Sequence, residues 1–131
     1  MIGLDTNVLV RYIMQDDPRQ SPKATRLIEA MTSESPGFVS LVSIVELVWV
    51  LSASYGLARG QIASALELLL RSKELILDRA DEVAKALRAF KSGSADFADC
   101  LIERTAHSAG CSATMTFDVD AAKTAGMTLV G

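Results

Sequence analysis

Apolar and polar positions alternate along this chain in short blocks that switch between strand and helix period. Ile2 to Asp5 reads as a short buried strand, followed by Thr6-Asn7 as helix-start chemistry and a short helix from Val8 to Met14. Asp16-Asp17-Pro18 breaks that helix. Ser21-Pro22 opens the next one as a cap followed by a proline, with Ala24, Leu27, Ile28 and Met31 on one apolar face. Ser35-Pro36-Gly37 is a turn and Phe38-Val39-Ser40 a second strand. Leu41 or Ser43 begins an almost wholly apolar helix, read as buried, that ends near Ser54-Tyr55-Gly56.

The second half repeats the alternation. Ala58 to Arg71 is a helix with Ile62, Leu66, Leu69 and Leu70 at helical spacing, and Glu74 to Asp78 is a third strand. Asp81 to Phe90 is amphipathic, Lys91 to Ser94 a loop, and Asp96 to Ala109 a helix closed by Gly110. Ser112 to Phe117 is a fourth strand, Asp120 to Thr124 a helical turn, and Met127 to Val130 a fifth strand. Strands alternating with helices predict an α/β fold: a mainly parallel five-stranded sheet with helices on both faces, three layers in all. At 131 residues the chain is expected to be one domain spanning 1–131.

Against this pattern four carboxylates stand out. Asp5 ends the first strand, Glu46 sits inside the apolar helix, Asp99 opens onto Cys100-Leu101-Ile102, and Asp118 follows the uncharged run Ser112 to Phe117. An ionised carboxylate in an apolar setting costs several kcal/mol unless something positive neutralises it. Ligands of parallel sheets bind beyond the carboxyl ends of the strands, which is where Asp5 and Asp118 fall. Asp96 and Asp99 share one face of a helix start. Convergence of Asp5, Glu46, Asp99 and Asp118 on one metal ion explains the set. Oxygen ligands without imidazole or thiolate suit Mg2+ or Mn2+. Such a site serves phosphoryl transfer, with a metal-activated water attacking a phosphodiester. Without metal the acids repel, and at least one should titrate high. Thr6, Asn7 and Thr116 are polar neighbours able to orient a carboxylate or a water. Taken singly, Asp5 also reads as a turn residue, Asp96 as a cap, Asp118 and Asp120 as turn and cap, and Glu46 as an acid paired with an arginine.

Composition narrows the classes. The formal net charge is −3, so no strong basic footprint for nucleic acid is present, although a cation-filled acidic site reverses the local field. Cys100 and Cys111 form neither a metal spacing nor a disulfide framework, in keeping with a cytoplasmic setting. No signal-type core opens the chain, and the apolar stretch Phe38 to Ala53 is too short for a membrane span and carries Glu46. His107 is the only histidine, which argues against zinc hydrolysis and a His-based triad.

The order of motifs resembles the PIN domain family. Leu4-Asp5-Thr6-Asn7-Val8-Leu9-Val10-Arg11 is similar to its opening and Val42-Ser43-Ile44-Val45-Glu46-Leu47 to its second acidic motif. Asp96-Phe97-Ala98-Asp99-Cys100-Leu101-Ile102 is similar to the third, and Thr116-Phe117-Asp118-Val119-Asp120 to the fourth. Short chains of this kind resemble VapC-type toxins of bacterial toxin–antitoxin pairs. The resemblance implies a Mg2+-dependent endoribonuclease with metal ligands at Asp5, Glu46, Asp99 and Asp118, Asp96 accessory, and Thr116 supporting the fourth motif. Asp118 and Asp120 both suit the fourth position. It also implies an RNA substrate, a homodimer and a cognate antitoxin whose C-terminal segment blocks the acidic groove.

Three other readings compete. A phospho-acceptor receiver domain needs a lysine near the end of the last strand, where Thr128-Leu129-Val130-Gly131 has none. A dehalogenase-type phosphatase needs a second Asp two residues after Asp5, where Asn7 stands. A metal-free acidic interaction module would lack divalent-ion dependence.

Overall fold

The computed structural model describes residues 1–131, which divide into two compact units, Met1–Asp78 and Arg79–Gly131. The first unit runs β1 (Ile2–Gly3), α1 (Thr6–Met14), α2 (Gln20–Glu29), β2 (Gly37–Val39), α3 (Leu41–Ala53), α4 (Arg59–Arg71) and β3 (Leu75–Leu77). Its sheet has the order β1-β2-β3, all parallel, with Ile2 opposite Gly37 and Gly37 opposite Leu75. Parallel neighbours require a crossover. Here each crossover consists of two helices, α1–α2 and then α3–α4. Leu9, Val39, Ile44, Leu47, Leu51, Leu66 and Leu69 are fully buried in this unit. Gly37 lies where β2 is packed most closely: a Cβ there would come within 2.5 Å of Met31 Sδ, 3.0 Å of Leu75 Cδ2 and 3.1 Å of Leu4 Cδ1.

The carboxyl ends of the three strands share one device. Asp5 follows β1 and caps α1, its carboxylate accepting from the Thr6 amide at 2.8 Å. Ser40 follows β2 and caps α3 by accepting from the Ser43 amide at 3.2 Å. Asp78 follows β3 and accepts from the Leu41 amide at 3.4 Å. Side-chain oxygens thus satisfy helix amides that have no partner inside the helix.

The second unit runs α5 (Ala80–Ser92), α6 (Phe97–Ser108), β4 (Met115–Thr116), α7 (Val119–Thr124) and β5 (Thr128–Leu129). β4 and β5 pair in parallel across α7, Met115 opposite Thr128. α5 packs on α6 through Val83, Ala86, Leu87, Phe90, Phe97 and Leu101, all buried. The Phe90 and Phe97 rings meet edge to face, 5.8 Å apart and 85° inclined.

All five expected strands are present and every pairing is parallel; three hydrogen-bond in the first unit and two in the second. The boundaries move for local reasons. α1 starts at Thr6 rather than Val8 because Asp5 is its cap. α2 starts at Gln20 rather than at Ser21-Pro22, since the Asp17 carboxylate accepts the Arg19 and Gln20 amides at 2.9 and 2.7 Å. Those bonds hold the Asp17 carboxyl below its ordinary range. α5 continues through Lys91 and Ser92, which the sequence reads as loop. The apolar helix α3 is also not buried all round. Ile44, Leu47 and Leu51 are inside, whereas Val42 (70 %) and Trp49 (67 %) are exposed on the same side as Glu46. Composition alone hid that two-sidedness, because both faces carry apolar residues. No helix is long and apolar enough to cross a membrane.

Candidate metal centre

In the first unit the opening motif places Asp5 and Thr6 at the amino end of α1. Asp5 is exposed, with one carboxylate oxygen held by the Thr6 amide. The Thr6 side chain is buried, and its hydroxyl donates to Glu46 Oε1 at 2.7 Å. Thr6 therefore ties the first acidic motif to the second across forty residues of sequence. Glu46 lies in the second turn of α3 and is exposed, so desolvation is not what distinguishes it or Asp5. The expectation that these carboxylates sit in costly apolar surroundings is corrected on that point. Asn7 is exposed and lines a hollow of about 260 Å³ with Val8, Arg11, Gln20, Lys23, Ala24 and Leu27.

In the second unit Asp96 caps α6, accepting from the Asp99 amide at 3.2 Å. Asp118 caps α7, one carboxylate oxygen accepting from Asp120 and Ala121 amides at 2.8 and 3.3 Å. Thr116 Oγ1 in turn accepts from the Asp118 amide at 3.0 Å, which fixes the turn that presents Asp118. Asp118 and Asp120 are both exposed. Asp99 is half-buried in the first turn of α6. Its carboxyl is pushed above the usual carboxylate range, first by burial and then by the negative charges of Asp96, Asp118 and Asp120.

Asp96, Asp99, Asp118 and Asp120 thus repel one another at the starts of two helices. Ion pairs are seen away from these acids, among them Arg11 with Asp16, Arg79 with Glu82, and Arg104 with Glu103. A carboxylate and hydroxyl donor set of this kind fits a hard divalent cation, whose charge would offset the repulsion at Asp99. Within neither unit do three acidic, histidine or cysteine side chains stand close enough to complete a chelate.

Three features escape the sequence reading. Asp78 supports the start of α3; it follows strand β3 as Asp5 follows β1, and that shared pattern is its signal. Asp16, which the sequence reads only as part of a helix break, accepts from the Tyr55 hydroxyl at 2.9 Å, and Arg11 donates to Gln20 at 2.8 Å and to Tyr55 at 3.3 Å. This network binds α1, α2 and the end of α3, and Asp16 raises the Tyr55 pKa. Trp49, on the helix the sequence reads as buried, is exposed.

Comparison with known proteins agrees with the order of motifs. The PIN domain family profile matches residues 2–127. No curated protein matches the chain. Among solved structures, the crystal structure of Mycobacterium tuberculosis VapC20, described as a sarcin-ricin loop cleaving toxin, is similar with a TM-score of 0.48. The two are 18 % identical, with 98 % of this chain and 97 % of that one covered. The family profile spans all four acidic motifs, from Asp5 to Asp120, and on that ground this chain belongs to the PIN domain family.

Proposed function

We propose that residues 1–131 act as one PIN domain with Mg2+-dependent endoribonuclease activity, Mn2+ being an alternative ion, and serve as the toxin of a toxin–antitoxin pair. The observation that carries this reading is the clustering at Asp99, whose carboxyl is raised first by burial and then by the charges of Asp96, Asp118 and Asp120 within one unit. Acids that strain against one another beside helix starts are poised for a divalent cation, and family membership supports the same use.

The reading assigns the metal-holding role to Asp5, Glu46, Asp99 and Asp118. Asp120 is the alternative fourth acid, and Asp96, Asn7 and Thr116 are accessory. When bound, the ion supplies a Lewis acid that makes water a nucleophile near neutral pH and stabilises a leaving phosphodiester oxygen. The chain's own residues do the positioning. Thr6 holds one oxygen of Glu46 and leaves the other free. The Asp120 and Ala121 amides hold one oxygen of Asp118 in the same way. A carboxylate anchored at one oxygen presents the other in a fixed direction, which is the role outer partners play at metal sites. The substrate is RNA, the working form a homodimer in the cytoplasm, and a cognate antitoxin masks the acids.

The test is cleavage of defined single-stranded RNAs with Mg2+, with Mn2+ and with chelator. Chelator-reversible cleavage by the wild type, lost in Asp99→Asn, is the expected result. Cleavage that persists in chelator would overturn the metal reading. Growth arrest on expression of the chain, relieved by a small co-expressed partner, is expected for the toxin role; a harmless wild-type chain would sink that role alone.

A further inference from the structure

We propose that the groove between α5 and α6 binds the ribose-phosphate backbone of single-stranded RNA, a placement that rests on the ribonuclease reading above. The groove measures about 540 Å³ and lies wholly within the second unit. Lys85 and Arg88 reach it from α5, three residues apart and therefore on one face, and both are exposed. Arg104 reaches it from α6 but is already engaged: it grips Glu103 through two hydrogen bonds of 2.7 and 2.8 Å. That pair cancels the only acid in the lining, so Lys85 and Arg88 leave the groove with a net positive charge.

The remaining lining suits a backbone rather than a base. Ala89, Ala125 and Gly126 are small and keep the groove wide. The Ser92 and Thr124 hydroxyls give their hydrogens to the Ala89 and Asp120 carbonyls, at 3.3 and 2.7 Å. Their oxygens therefore offer lone pairs, which accept from a ribose 2′-hydroxyl but not from a phosphate. Cations for phosphate beside acceptors for ribose suit RNA, and on the ribonuclease reading RNA is the anion that must reach the acids nearby. Position adds to this. Glu103, which lines the groove, follows Asp99 by four residues and so shares its face of α6, about 6 Å of rise away. A strand lying in the groove would thus have one rim about one turn from Asp99. In a chain of net charge −3, an anionic polymer needs such a local cationic hold near the acids.

The experiment is fluorescence anisotropy of labelled single-stranded RNA on the full chain, in chelator to prevent cleavage, across a salt series. The wild type should bind, and bind RNA more tightly than DNA of the same sequence. The double variant Lys85→Glu/Arg88→Glu should lose about tenfold or more in affinity, with a salt slope shallower by about 1.4 for two phosphate contacts. The milder Lys85→Gln/Arg88→Gln should show the same slope change, and Arg71→Glu on α4 should show none. Both substituted side chains are exposed, so melting should not change. A double variant with wild-type affinity and slope overturns the groove while leaving the ribonuclease reading in place. One that keeps RNA binding but loses binding of a labelled poly-glutamate peptide overturns it in favour of an acidic protein partner. A wild type that binds no RNA overturns both readings.

Discussion

The Thr6 hydroxyl donates to the Glu46 carboxylate at 2.7 Å, joining the first turn of α1 to the middle of α3. Thr6 is 8 % exposed, so this bond is formed from the inside, while Glu46 remains open to water on its other side. One hydroxyl thus connects two acidic motifs that are far apart in sequence.

Thr6→Val keeps the shape and removes the donor. Denaturant unfolding should show a loss of about 1 kcal/mol, the ordinary net value of such a bond. RNA cleavage should fall about 10–100-fold, as for outer partners that orient metal-binding carboxylates. Thr6→Ser should restore most of the activity. If Thr6→Val cleaves at the wild-type rate, Thr6 does not position Glu46 for chemistry.

Asp99→Asn tests the electrostatic strain. A carboxyl whose folded pKa is raised is easier to accommodate protonated: its folding contribution is most favourable below the ordinary carboxylate range and is lost as pH rises through the folded pKa. In chelator at neutral pH, Asp99→Asn should therefore melt higher than the wild type, with the difference shrinking to nothing as pH falls below that range. Activity should fall by more than the roughly 100-fold expected of an outer partner. A variant less stable than wild type at neutral pH contradicts the repulsion.

Asp118 and Asp120 separate by capping. Asp118 accepts two amides of α7, whereas Asp120 lies in the first turn of that helix. Asp118→Ala should cost about 1 kcal/mol in stability, the usual value of an N-cap, and Asp120→Ala should change it little. Because Asp118→Asn retains a capping oxygen, it should fold normally. Comparing its cleavage rate with that of Asp120→Asn identifies the fourth acid: the larger loss marks the ligand.

Divalent metal should stabilise the fold by linkage. At a concentration about 100 times the dissociation constant the gain is about 2.7 kcal/mol, readable as a rise in melting temperature. Asp99→Asn should blunt the rise. An equal rise in wild type and variant would place the metal away from Asp99.

The motifs were legible because each combines a strand end with a helix start. Asp5 and Asp118 follow strands and cap helices, a pattern that chain order and turn chemistry reveal without coordinates. The same residues misled the energetic argument. Asp5, Glu46 and Asp118 looked desolvated among apolar neighbours in sequence, yet all three carboxylates face water, and beside Asp118 even Phe117 and Val119 are exposed. α3 shows why: Ile44, Leu47 and Leu51 are inside and Val42, Glu46 and Trp49 outside, although a one-dimensional reading sees only a long apolar run.

The sequence by itself determined the alternation of strands and helices, the parallel class and the four acidic motifs, since these depend on local period and capping chemistry. Only the tertiary structure decided that Thr6 holds Glu46, that Asp99 feels Asp118 and Asp120, and that Lys85 and Arg88 face a groove with Arg104 already paired. The links of Thr6 with Glu46, and of Asp99 with Asp118 and Asp120, run across long stretches of sequence. They depend on hydrogen bonds of a few ångströms and on Coulomb terms that fall with distance, and no periodicity along the chain encodes them.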